Sequence, residues 1–299
     1  MTARIRTGLI GAGAFGANHA AKLAGLAQSD FQGVFDLDAA RASEIAGKVS
    51  ARAFESLEAL LSACDAVIVA TPARTHGRVA LQAIQAGKHA LVEKPLAATV
   101  SEAHALIDAA ARAGVALMVG HQERFVLQAL GLFDAPERPT LIESVREGPF
   151  TGRAMDVSVT FDLMIHDLDL ATALFGDAPQ AIEARGSAER GPEFDAVSAR
   201  LTFAGGIAQF TASRIAAARK RTMRVVFPSG EARVDFLART MANETPFSFD
   251  TDFAAKVPDP LGRNVEEFLD AAITGRRIST APAAAAVALA AAIDAAAAR

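Results

Sequence analysis

Over the first 120 residues short apolar runs alternate with helical stretches, and no other feature limits the possible folds as tightly. IRTGLIGAG opens as a strand through Ile5, Leu9 and Ile10, ends in glycines, and is followed by a helix over about 14–27. FQGVFD, ARAF, DAVIVAT, KHALVE and VALMVG read as five further strands, with DAARASEIAGK, SLEALLSA, HGRVALQAIQAG and TVSEAHALIDAAARAG as helices between them. Strands that are continuous apolar runs, separated by helices, predict a parallel sheet covered on both faces. After residue 120 the pattern changes. LIESVRE, PQAIEARGSA, FDAVSARLTFAGGIAQFTASRI and RTMRVVFPSGEARVDFL read as strands joined by hairpins, with turns at Ala204-Gly205-Gly206 and Pro228-Ser229-Gly230. From Leu261 onward the chain is helical again. An α/β domain over 1–120 and an α+β domain with an open, mostly antiparallel sheet over 121–299 are therefore expected, the C-terminal helices being free to pack back on the first.

Composition removes several classes of function. A net charge of −4 leaves no basic excess for a nucleic-acid partner. The single cysteine, Cys64, allows neither an intrachain disulfide nor a cysteine-cluster zinc site, and reads as a buried thiol. MTARIRTGLIGAGAFG lacks the form of a signal peptide, because a glycine turn interrupts its apolar run. The alanine tract at 281–299 is interrupted by Asp294 and reads as a terminal helix docked through Val287, Leu289 and Ile293 rather than a membrane span. No membrane partner and a cytoplasmic location are expected.

Gly11, Gly13 and Gly16 form G-x-G-x-x-G directly after the first strand and open a helix, so the loop Gly11-Ala12-Gly13-Ala14-Phe15-Gly16 is a candidate dinucleotide site. The first glycine permits the tight turn, the second lets a pyrophosphate approach the backbone, and the third lets helix and strand pack closely. Asp36, twenty residues past Gly16, ends the second strand, where a carboxylate can accept both ribose hydroxyls of NAD and repel a 2′-phosphate. No basic residue immediately follows it, Arg41 lying several residues on, so NAD is favoured over NADP. Thr71-Pro72, with His76 opening the next helix, and Glu93-Lys94-Pro95 lie at carboxyl ends of parallel strands, the edge where such sheets bind ligands. Lys94 can hydrogen-bond a substrate hydroxyl and stabilise a developing alkoxide; the alternative is a surface lysine in a turn.

DLMIHDLDLATALFG, at 162–176, reads at helical period with Asp162, His166 and Asp169 on one face. Two carboxylates around one imidazole fit a proton-transfer site, a metal site or a buried structural histidine, and Asp162 is also placed to cap the helix.

GAGAFG, TPARTH, EKP and DLMIHDLD occur in the order and spacing of the glucose–fructose oxidoreductase / inositol dehydrogenase (Gfo/Idh/MocA) family, which the chain resembles over nearly its whole length. The resemblance implies a Rossmann domain followed by an open antiparallel sheet that carries the substrate and joins subunits into homodimers or homotetramers. It implies Lys94, Asp162 and His166 as the catalytic set, the histidine as general base, and a Lys94–Pro95 bond that is often cis in the family. Hydride transfer of this kind needs no metal. VGHQERF and VREGPFTGRAMDVSVTFDLMIHDLDL resemble in addition a subgroup of sugar-nucleotide oxidases, the UDP-N-acetylglucosamine 3-dehydrogenases. His121, Glu123, Arg124, Arg146 and Arg153 thereby become candidates to line the substrate site with Lys94, Asp162 and His166, the arginines suiting a pyrophosphate. The chain departs from the subgroup at RFVLQAL, where Asn-Pro usually follows RF. With no Trp or Tyr, stacking on a uracil would fall to Phe or an Arg plane. Two alternatives stand beside a sugar-nucleotide dehydrogenase: oxidation of a free sugar or inositol, and a non-catalytic dinucleotide-binding regulator.

Overall fold

The computed structural model describes residues 3–299. The chain forms two compact units, Met1–Gly120 with Leu261–Ala284, and His121–Pro260 with Ala285–Arg299. In the first, β1 (Ile5–Ile10), β2 (Ser29–Phe35), β3 (Arg52–Ala53), β4 (Ala66–Val69), β5 (His89–Val92) and β6 (Leu117–Val119) make one all-parallel sheet in the order β3-β2-β1-β4-β5-β6. All four residues of β4 are buried, as a strand covered on both faces requires. Helices α1 (Ala14–Gly25), α2 (Ala39–Lys48), α3 (Leu57–Ala63), α4 (His76–Gln85) and α5 (Val100–Ala113) connect the strands. The side chains of Asp38, Ser56 and Thr99 accept from first-turn N–H groups of α2, α3 and α5, which is why those helices begin there. The strand order reverses between β1 and β4, so the loops after these strands diverge and leave a crevice at their carboxyl ends. Cys64 is buried, and burial pushes its thiol up to about 12, consistent with a packing role.

The second unit opens with α6 (Glu123–Leu130), absent from the sequence reading, and carries a seven-stranded sheet. Its strands are β7 (Leu141–Glu147), β8 (Ala181–Ser187), β9 (Ala196–Phe203), β10 (Gly206–Ser213), β11 (Lys220–Phe227), β12 (Gly230–Asp235) and β13 (Thr240–Asn243). The order is β13-β12-β11-β7-β10-β9-β8; only β7 and β10 pair in parallel, so the expected mostly antiparallel sheet is borne out. Ile142, Ser144 and Arg146 of β7 and Met223, Val225 and Phe227 of β11 line its buried face. On that face lies α7 (Ile165–Phe175), whose Phe175 ring stacks on Phe203 at 4.2 Å between centroids.

Two local expectations are corrected, and the burial of one helix is more complete than its period implies. The turn before α7, Thr160–Met164, is π-helical, with the Ile165 N–H donating to Thr160 O, and Asp162 lies inside it rather than capping the helix. Helix α7 is buried on more than the two faces read from its period: Ile165 to Ala171 are all buried, including His166, Asp167 and Asp169. After the short α8 (Phe253–Lys256) come α9 (Pro260–Thr274) and α10 (Ala281–Ala297), and α10 docks through Ala283, Ala286, Val287, Ala290 and Ile293, with Leu289 only half-buried. The small alanines take the places at one-turn spacing that the sequence reading gave to the larger residue.

The glycine loop separates two kinds of requirement. A Cβ on Gly16 would stand 2.0 Å from Gly11 O, whereas one on Gly13 would meet nothing within 4 Å. Gly16→Ala should therefore lower stability by about 1–3 kcal/mol or more through overpacking, while Gly13→Ala, at the N-cap of α1, should cost only the weaker cap, about 1 kcal/mol or less, as thermal and urea unfolding of the two variants will show.

Candidate active site

In the first unit every element of the dinucleotide fingerprint is in place. Gly11 has φ +103°, and a Cβ there would strike Ala70 O at 2.5 Å, so the turn out of β1 accepts only glycine. Gly13 stands at the start of α1 with no side chain capping the helix, leaving its first N–H groups and the positive end of its dipole available to an anion. The open space over Gly13 is what a diphosphate would need, so the residues present fit the group. Asp36 ends β2 with its carboxylate turned back to this loop: Oδ2 accepts from Ala12 N at 2.6 Å, and Oδ1 from Asp38 N at 2.8 Å. Arg41, which sequence distance set aside, reaches Asp36 Oδ1 at 3.4 Å because the first turn of α2 curls it back.

The two strand-end motifs are tied together from beneath. His76 is buried, its Nδ1 2.7 Å from Pro95 O and its Nε2 2.8 Å from Thr71 O, so it struts the Thr71-Pro72 turn against the Lys94-Pro95 turn. Both nitrogens are so engaged that His76 holds the two turns in place. Glu93 is likewise buried, its Oε1 2.6 Å from His19 Nε2 on α1 and its Oε2 accepting from Lys94 N at 3.2 Å. Burial opposes the Glu93 charge, yet the His19 contact and the nearby Lys94 and His76 hold the carboxyl below its usual range. Lys94 is half-exposed, and the Lys94–Pro95 peptide is cis. His19 was missed by the sequence reading. Its signal was position: with Gly16, Ala20 and Leu23 it lies on the buried stripe of α1, where a polar side chain needs a partner.

In the second unit His121, Glu123, Arg124, Arg146 and His166 come together, with two aspartates of α7. Arg146, at 2% relative exposure, donates through Nε and Nη2 to Asp167 (3.0 and 2.9 Å) and through Nη1 and Nη2 to Glu123 (2.9 and 2.7 Å). Burial works against the charge, but the two carboxylates hold the guanidinium above its ordinary pKa. His166 Nδ1 stands 3.5 Å from Glu123 Oε2, and the His121 ring meets the His166 ring edge-on, with centroids 6.2 Å apart. Arg124 forks onto Asp169 at 2.5 and 2.8 Å, so both oxygens invoked for a metal are engaged by an arginine. Asp162 lies in the π turn, near enough to Arg221 of β11 to act on its charge. Arg153 is exposed on the loop after β7.

That loop is pinned by a residue pair the sequence reading did not single out. Buried Asp195 accepts from the N–H groups of Glu189 and Arg190, both at 2.7 Å, and from Arg214 Nε at 2.8 Å. Arg214 then donates to Ala154 O, Val157 O and Phe194 O at 2.6, 3.0 and 2.9 Å. Burial opposes the Asp195 charge, but these donors outweigh it and hold the carboxyl below its usual range.

A parallel sheet with this glycine loop and an acid at the end of its second strand, joined to an open sheet bearing a buried histidine–carboxylate–arginine cluster, defines a two-unit, dinucleotide-dependent oxidoreductase. The model of the GFO_IDH_MocA oxidoreductase family, NAD-binding Rossmann fold, matches residues 5–121, and that of the GFO/IDH/MocA C-terminal domain matches residues 132–233. The chain belongs to the Gfo/Idh/MocA family of NAD-binding oxidoreductases. It is 41% identical over 243 residues to UDP-N-acetylglucosamine 3-dehydrogenase of Acidithiobacillus ferrooxidans, covering 79% of this chain and 76% of that one. A solved structure of that enzyme superposes with TM-score 0.89 at 37% identity, covering 98% and 97% of the two chains. GenD2 from gentamicin A biosynthesis, in complex with NAD, gives TM-score 0.86 at 25% identity, covering 100% and 95%. Inositol 2-dehydrogenase of Acidothermus cellulolyticus is 32% identical over 203 residues, 63% of this chain and 60% of that one.

Two outcomes follow from the geometry. Asp36→Ser removes the acid from the ribose end and releases Arg41 from it, so NAD should bind more weakly and the NADP-to-NAD ratio of kcat/KM should rise; an unchanged ratio would contradict the role of Asp36. Arg146→Met leaves Glu123 and Asp167 buried without their cation, and urea unfolding should register a loss of about 3–5 kcal/mol.

Proposed function

We propose that the protein oxidises a secondary hydroxyl of a sugar nucleotide with NAD, C3 of UDP-N-acetylglucosamine being the best-fitting position. The observation that carries this reading is the 41% identity to an enzyme of that name, extending across both units, together with the intact E-K-P and D-x-x-x-H residues. In this reading the first unit holds the dinucleotide and the second carries the substrate. Bound NAD supplies the hydride acceptor at its nicotinamide ring. His166 takes the hydroxyl proton as the carbon gives up hydride, and the Lys94 ammonium donates to the hydroxyl oxygen, favouring the developing negative charge. Asp162, one helical turn before His166, orients substrate and imidazole. Glu123, 3.5 Å from His166 Nδ1 and itself fixed by Arg146, holds the ring so that its other nitrogen serves as the base. The uncovered face of the second sheet, where half-exposed Leu141, Val145, Ile207 and Val226 accompany the Arg224 ion pairs to Glu143 and Glu231, is the surface through which copies of the chain would associate.

Oxidation of a free polyol is the second reading. It is favoured by the identity to an inositol 2-dehydrogenase and by the engagement of Arg146 and Arg124 with carboxylates, which removes two arginines from service to a pyrophosphate. The test is turnover with NAD and UDP-N-acetylglucosamine, the keto product being trapped by an aminotransferase with glutamate and read by mass spectrometry. Free sugars and inositol run in parallel. Lys94→Ala and His166→Ala should each lower kcat by about 10²–10⁴ while NAD still binds. Turnover of a polyol alone discards the sugar nucleotide, and absence of turnover on every substrate with NAD bound leaves a regulator.

A further inference from the structure

With Arg146 committed to two acids, an arginine able to meet a substrate anion must be sought elsewhere in the second unit. Strand β11 enters its sheet through Arg219, Lys220 and Arg221, a basic run that neither the glycine loop nor the D-x-x-x-H motif accounts for. Arg221 stands directly opposite Arg146 in the antiparallel register of β7 and β11, so both side chains leave the sheet on the same face. That is the face on which Arg146 meets Glu123 and Asp167, beside His166.

The two arginines differ in what they hold. Arg221 is half-buried, and among the described residues no group hydrogen-bonds its guanidinium. Its charged neighbours are Arg146, Glu123, Arg219 and Asp162. Burial and the two arginines together outweigh the two acids, so the surroundings disfavour its charge and hold it below its ordinary pKa. Arg219 lies over the start of the GPF loop, its Cγ 3.6 Å from where a Cβ on Gly148 would be. Gly148 is itself pinned, donating to Ser213 O at 2.9 Å and accepting from Ala216 N at 3.0 Å.

A guanidinium on a rigid strand, partly withdrawn from water, with its forked donors unused and a second cation beside it, is suited to an oxyanion of more than one charge. We propose that Arg221, flanked by Arg219, binds the phosphate or diphosphate group of the substrate, and that Arg146 supports the site without touching substrate. This deepens the substrate reading above and rests on the second unit carrying the substrate.

The test is calorimetric titration of UDP, and separately of inorganic pyrophosphate, into wild-type protein and Arg221→Met, with NAD saturating so that the glycine loop is filled. Arg221→Met should weaken both ligands about 10- to 100-fold, the loss of one charge-assisted pair, with NAD affinity and melting temperature unchanged. Arg221→Lys, which keeps the charge and loses the fork, should fall between. The KM for UDP-N-acetylglucosamine should rise by the same factor, and turnover of any uncharged polyol should not move. Turnover of the sugar nucleotide with KM and UDP affinity unaltered in Arg221→Met would overturn the proposal and leave the substrate reading standing. Pyrophosphate binding lost in Arg221→Met, in a protein that oxidises only polyols, would overturn the proposal, because the anion held there would not belong to the substrate. No binding of UDP or pyrophosphate by the wild type would overturn the proposal.

Discussion

Arg146 leaves β7 into a space closed to water and meets four carboxylate oxygens, two from the first turn of α6 and two from α7. Removing one guanidinium and two carboxylates from water is costly, and the Coulombic gain in a low-dielectric interior offsets that cost only when the hydrogen bonds are well made. Such a triad adds little net stability over apolar packing; what it adds here is position. The bonds fix α6 and α7 against the same strand, and with them the distance of 3.5 Å between Glu123 and His166. The imidazole thus lies beside a carboxylate that is itself held by an arginine.

The first unit solves the same problem with different groups. Glu93 is buried beneath Gly120, whose missing Cβ would stand 2.9 Å from Oε2, and it is bound to His19 of α1 and to the Lys94 N–H. The glycine loop opens α1 at one end, and His19 on the same helix reaches the turn that presents Lys94. The helix that follows the glycine loop and the turn bearing the lysine are thereby tied together through one buried pair. His76 adds a second strut between the Thr71-Pro72 and Lys94-Pro95 turns.

Much of this architecture was legible because it is local. Strands of the first sheet announce themselves as apolar runs, and the glycine loop, Asp36 and the E-K-P turn occupy fixed offsets from strand ends. Three features were not legible, each for a physical reason. The π turn at Thr160–Met164 adds a residue to one turn, which a reading at 3.6 residues per turn does not register, so Asp162 was read as also able to cap the helix. Asp167 was passed over because helical period places it off the Asp162–His166–Asp169 face, whereas α7 is buried almost all round and every acid on it needs a partner. Arg221 drew no notice because its meaning depends on a register partner 75 positions away in the chain, which no spacing rule reaches.

Arginines are indistinguishable when read along the chain, and the fold sorts them by what already occupies their donors. Arg124, Arg146 and Arg214 are engaged by Asp169, by Asp167 and Glu123, and by Asp195 with three backbone carbonyls. None of these can turn to a substrate without leaving a buried carboxylate or carbonyl unpaired, which costs more than a single new contact returns. In the proposed reading, recognition of an anion falls to cations outside these networks, such as Arg221, whose charge burial and its neighbouring arginines disfavour.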